Sequence, residues 1–127
     1  MQDLCSLRSL ITDLQQAEEE FSRTIGLTMC QASMICAIDH GYDDLRQLQA
    51  QLSLTPSRVT RLVDSLEHKG LVVRHRPDQD RRAVSVKLTE EGKQLIRQSG
   101  DCHLRLPKDI EDLLMERSKE KSWTEHT

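Results

Sequence analysis

Residues 54–88 read LTPSRVTRLVDSLEHKGLVVRHRPDQDRRAVSVKL, and the reading of this stretch decides the fold. Thr55 is a strong helix N-cap. Pro56 suits the first helical position, where a missing N–H costs no intrahelical bond. Val59, Leu62, Val63 and Leu66 recur at helical spacing and form one buried stripe. Ser57, Arg58, Thr60, Arg61 and Asp64 are left on the outward face, and Gly70 closes the helix. Residues 71–73 then read as a strand, and Pro77-Asp78-Gln79-Asp80 as a turn. Val84, Val86 and Leu88 alternate with Ala83, Ser85 and Lys87, the pattern of a half-buried second strand. A capped helix followed by a two-stranded wing is the expected unit.

Charge singles out the same stretch. The chain of 127 residues carries a formal net charge of −3, which by itself argues against a polyanionic partner. Residues 55–88, however, hold eight Lys/Arg against four Asp/Glu, a net of +4, whereas the remainder holds ten against seventeen, a net of −7. A basic patch on an acidic body fits a nucleic-acid reader mounted on a separate scaffold.

Working outward, Leu4, Leu7, Leu10, Ile11, Leu14, Ala17 and Phe21 make an apolar stripe on a first helix of about five turns, ended by Gly26. That stripe needs a partner surface, in its own domain or on a second subunit. Thr28-x-x-Gln31 is a capping box opening a second helix, which stops at His40-Gly41. Its cysteines, Cys30 and Cys36, are expected in the core. Leu45, Leu48, Leu52 and Leu54 give a short third helix. After the wing, Thr89 caps a fifth helix with Glu90 and Glu91 in its first turn, where the helix dipole favours anions. Pro107 separates it from a last amphipathic piece carrying Ile110, Leu113 and Leu114, and the polar chain from Arg117 onward is expected to fray.

Several function classes are set aside. No long apolar run suggests a membrane span, and the N-terminus lacks the basic-then-apolar pattern of a secretory signal, so a cytoplasmic location is the default. No Gly-rich phosphate loop, nucleophile elbow or His-Glu-x-x-His motif points to an enzyme. The four cysteines lack metal-finger spacing; neither a metal nor another cofactor is expected.

With these elements in place, the chain resembles the MarR family of bacterial transcription regulators. The features that carry the resemblance are LTPSRVTRLVDSLEHKGLV, the wing signature Asp80-Arg81-Arg82 and the exit VKLTEEGK. The likeness is strongest over residues 52–92, and the helix order agrees from about residue 4 to 114. It implies a mainly α fold with a small β-wing, a winged helix-turn-helix lobe at about 28–88, and dimerisation helices at about 3–25 and 89–120 of one domain. It implies a homodimer on a near-palindromic duplex, the fourth helix in the major groove and the wing at the neighbouring minor groove. Carried over by position, Ser57, Arg58, Thr60 and Arg61 become major-groove residues, Arg82 the wing arginine, and Asp80 the residue that orients it.

The residue chemistry agrees. Arg58 or Arg61 can grip guanine through two parallel hydrogen bonds, worth roughly 1–3 kcal/mol of base discrimination. Thr55 and Ser57 at a helix N-terminus suit a phosphate, and an arginine on a wing suits a narrow minor groove. Arg74 and Arg76 complete the basic set as phosphate or solvent residues, and Arg81 of the wing signature is counted with the DNA-binding residues. The competing reading is a winged helix used for protein contact alone.

Family members often respond to a phenolic ligand or an oxidant, so a small-molecule effector is a possible partner. Three aromatic residues give little for a stacking pocket, and the fifth helix is short. Cys5 lies where peroxide-sensing relatives carry a reactive cysteine, and Cys102 in the region expected to meet the partner's first helix. A Cys5–Cys102 bridge between subunits competes with the plainer reading of two small interface residues.

Overall fold

The computed structural model describes residues 2–76, 84–99 and 106–121. In chain order these form α1 (Gln2–Ile25), α2 (Met29–Asp39), α3 (Leu45–Leu52), α4 (Pro56–His68), β1 (Val72–His75), β2 (Ser85–Leu88), α5 (Glu90–Ser99) and α6 (Lys108–Lys121). The fold is mainly α with a small β-wing, as the sequence indicates.

Local chemistry sets most of the boundaries. Thr28 and Gln31 complete the capping box in both directions, at 3.1 and 3.0 Å. Asp44 caps α3 by accepting from Arg46 N at 2.7 Å, and Ser53 ends it in the left-handed conformation at φ 53°. Thr55 accepts from Arg58 N at 3.3 Å. Gly70, at φ 74°, makes the turn from α4 into the wing, a backbone geometry that penalises any Cβ.

The core lies among α2, α3, α4 and the sheet. Met34, Leu48, Leu66, Val59, Val63, Val72 and Val86 are its fully buried large side chains. Each is worth about 1.5–3 kcal/mol of hydrophobic transfer. The alternation in 84–88 holds: Val86 is buried while Lys87 is exposed.

β1 and β2 pair antiparallel, with Val72 opposite Leu88 and His75 opposite Ser85. The first strand begins and ends later than the expected 71–73, because Leu71 belongs to the joint with α5: its carbonyl accepts from Thr89 N at 3.0 Å. Thr89 Oγ1 donates to Gly70 O at 2.6 Å and accepts from Gly92 N at 3.1 Å, so one hydroxyl closes the wing and opens α5. Gly92 packs so tightly that a Cβ there would overlap the Leu71 carbonyl oxygen. A third segment joins the sheet by one bridge, Asp44 to Ser85, with Val86 N donating to Asp43 O at 2.8 Å.

Other expectations need correction. Cys36 is exposed and Cys30 half-buried, so neither is a core residue. α2 is apolar on nearly every side, and its buried face runs through Met34, Ile35, Ala37 and Ile38, leaving Cys36 on the other. Tyr42 and Leu27, not expected as core, are buried. The last helix continues past Arg117 to Lys121, consistent with the good helix formers Lys and Glu there, and the rest of the tail expected to fray lies outside the described residues.

Candidate nucleic-acid interface

α3 and α4 form the helix-turn-helix pair, with Leu48 fully buried on α3 and Val59, Val63 and Leu66 on α4. Burying that stripe turns the opposite face of α4 to solvent. Thr55, Ser57, Arg58, Thr60, Arg61 and Asp64 are all exposed, so the structure brings the helix residues expected from sequence onto one surface.

The hydroxyls on this surface are partly committed. Thr55 Oγ1 caps the helix and lies 3.3 Å from Ser57 Oγ. Thr60 Oγ1 donates to Pro56 O at 3.0 Å, which leaves its oxygen lone pairs facing out. Among the described residues, neither Arg58 nor Arg61 makes an ion pair. Asp64, the neighbouring carboxylate on the same face, is occupied elsewhere.

Its partner is Arg74. Expected as a phosphate or solvent residue, Arg74 instead turns its guanidinium back onto α4. It pairs with Asp64 at 2.5 Å and with Glu67, and reaches Thr60 O at 3.4 Å. The Arg74 backbone N–H also donates to Glu67 Oε2 at 3.4 Å. One arginine therefore engages both acidic side chains of α4, the trio keeping a net charge of −1, and staples the first wing strand to the helix. Sequence reading missed this because the partners lie seven and ten residues away, across a turn whose geometry no local motif specifies.

Arg76, His68, Lys69 and Lys87 are exposed near the wing or the end of α4. Asp80, Arg81 and Arg82, expected at the wing tip, lie outside the described residues, as does Cys102. Cys5 is exposed on α1, beside a cleft of about 410 Å³ that also meets Pro107 and Ile110. Cys36 has its thiol pushed above the ordinary value, first by partial burial and then by the Asp39 carboxylate. Among the described residues no His/Cys/Asp/Glu cluster is arranged to hold a metal ion. No helix among them is long and apolar enough to cross a membrane.

A helix with two exposed arginines in a helix-turn-helix, followed by a two-stranded β-wing, defines a winged-helix protein. The model of the MarR family matches residues 34–84. The HTH-type transcriptional repressor MdtR of Bacillus subtilis (strain 168) is 31% identical over 88 residues, covering 68% of this chain and 57% of that protein. A solved MepR-like protein complexed with pseudoligands aligns over 96% of this chain and 94% of its own, at 25% identity and a TM-score of 0.75. A single-substitution variant of MarR from E. coli, complexed with operator DNA, shares the fold at 24% identity and a TM-score of 0.66, covering 91% of each chain. The chain belongs to the MarR family. It spans a little over half the length of MdtR.

Proposed function

We propose that this protein is a homodimeric, sequence-specific, double-stranded DNA-binding transcription regulator, a repressor relieved by a small ligand or oxidant. The observation that carries the DNA-binding reading is the capture of Asp64 by Arg74. Arg58 and Arg61 stay exposed on the helix face and, among the described residues, outside any ion pair. Two arginines so presented, beside Ser57 and Thr60, have the donors that guanine edges and phosphates accept. Arg82, oriented by Asp80, takes the wing role, and Arg76 and Arg81 contact phosphate. Homodimer formation is supported by the apolar stripe of α1, which remains exposed in the single chain. The repressor assignment follows MdtR, which carries that name. A cytoplasmic location goes with this role.

Selection of bound duplexes from a random pool tests the reading. The expected product is a near-palindrome with half-sites about one helical turn apart. Affinity for it should fall steeply with salt as phosphate contacts release counterions. Failure to retain any duplex at low salt would instead mark the fold as a protein-contact module.

A further inference from the structure

We propose that Gln31 and Ser65 form a positioning contact that sets the distance between the two α4 helices of the dimer; this rests on the DNA-binding reading above. Gln31 uses both ends of its amide. Oε1 accepts from Thr28 N at 3.0 Å, as the capping box of α2 requires. Nε2 reaches across to α4 and donates to Ser65 Oγ at 3.1 Å. Ser65 Oγ in turn donates to Leu62 O at 2.8 Å, so its hydroxyl hydrogen is spent and its lone pair points at Gln31. The capping role alone is met equally by Glu, which has no amide hydrogen to give. The donor end of Gln31 is thus explained by Ser65 and not by the cap.

The relay spans 34 residues of sequence and is half-buried on both sides. It joins the α1–α2 junction to the helix carrying Arg58 and Arg61. Lys69 Nζ reaches the carbonyl of Gly26 at 3.5 Å, a second tie between the same two segments. If α1 holds the partner subunit, this joint lies on one path from the dimer contact to the DNA-contacting surface, beside the Thr89 joint that ties α5 to the wing. Apolar packing between α2 and α4 supplies adhesion without direction; a hydrogen bond with both partners committed fixes how one helix sits on the other. Neither residue faces DNA, so the contact acts through α4 and reads no base.

The test uses the whole protein and duplexes carrying its selected half-sites, with their separation kept or changed by one base pair. The measured quantity is the ratio of affinities between the preferred and altered spacings. Ser65→Ala removes the acceptor while raising helix propensity, so the fold is retained. Its spacing ratio is expected to drop by about fivefold, the factor that corresponds to one net hydrogen bond. Ser65→Thr keeps the hydroxyl and is expected to preserve the parental ratio. A Ser65→Ala protein with the parental ratio, or with an equal loss at every spacing, overturns the proposal while leaving DNA binding intact. A parent that binds no duplex overturns the DNA-binding reading, and this inference with it.

Discussion

Arg74 Nη2 lies 2.5 Å from the Asp64 carboxylate, tying the first wing strand to the outer face of α4. The Arg74 side chain is 22% exposed and that of Asp64 is 60% exposed, so solvent screens much of the attraction, and the fork shared with Glu67 matters more than either pair alone. Arg74→Ala is expected to lower stability by about 1–2 kcal/mol, toward the upper range for a partly screened network. It also releases Asp64 to pair with Arg61 three residues away, so duplex affinity falls for every sequence. Arg74→Lys recovers only part of the loss, because an ammonium cannot bridge two carboxylates in a planar fork. Thermal melts and duplex titrations check this. A Tm unchanged in Arg74→Ala, with a salt slope shallower by about one, would make Arg74 a phosphate ligand after all.

The glycines before and after the wing separate two physical costs. At Gly70 nothing stands within 4 Å of an added Cβ, but φ is 74°. Gly70→Ala therefore pays only the left-handed conformation, about 1–2 kcal/mol. At Gly92 the backbone is ordinary helix, but a Cβ meets the Leu71 carbonyl that accepts from Thr89. Gly92→Ala must shift α5 or break that bond, and an overpacking cost of about 2–3 kcal/mol is expected. The prediction is an ordering by chemical denaturation, parent above Gly70→Ala above Gly92→Ala; the reverse order would refute the joint described here.

These residues also show what was legible in the sequence. Thr55, Pro56 and the stripe from Val59 to Leu66 are local signals, and they specify α4 and its exposed face almost completely. Alternation around Val86 likewise specifies the second strand. The fate of Arg74 was not legible, because it depends on how the wing folds back over α4. Cys36 was misplaced for another reason: on a helix apolar all round, periodicity cannot say which side is inside. Tyr42, between two helices, carries no periodic signal, although it is buried. The bridge from Asp44 to Ser85 pairs single residues distant in sequence, which no strand pattern announces.

The Cys36 thiol should be a poor nucleophile. Partial burial and the Asp39 carboxylate both disfavour its thiolate, so its titration lies above that of a free cysteine. At a given pH near neutrality the thiolate fraction is therefore smaller, and alkylation by iodoacetamide is expected to be slower in the folded than in the unfolded protein. The folded rate should keep rising at pH values where a free thiol has already levelled off. Asp39→Asn removes the lesser cause and should speed alkylation, by less than unfolding does. Mass spectrometry of the Cys36 peptide reads these rates. Faster alkylation of the folded form than of the unfolded form would contradict the assignment.

Leu4, Leu7, Ile11 and Leu14 follow one another at steps of three and four along α1 and are 63%, 51%, 46% and 41% exposed. Farther along the helix Ala17 is buried and Phe21 half-buried, so the second half of α1 is better covered by its own chain than the first. The second half packs on its own chain, while the first presents a seam of the kind helices use to associate. On α6, Leu113, Leu114 and Met115 are exposed as well. Water contact over such a surface is costly, and a second copy is the proposed cover. Leu7→Glu with Ile11→Glu is expected to give a monomer by sedimentation. The core around Met34 and Leu48 is untouched, so helix content should persist. Duplex affinity is expected to fall by at least about 100-fold, since the second half-site loses its linked reader. A double variant that sediments as a dimer would mean that this face of α1 is not the subunit contact.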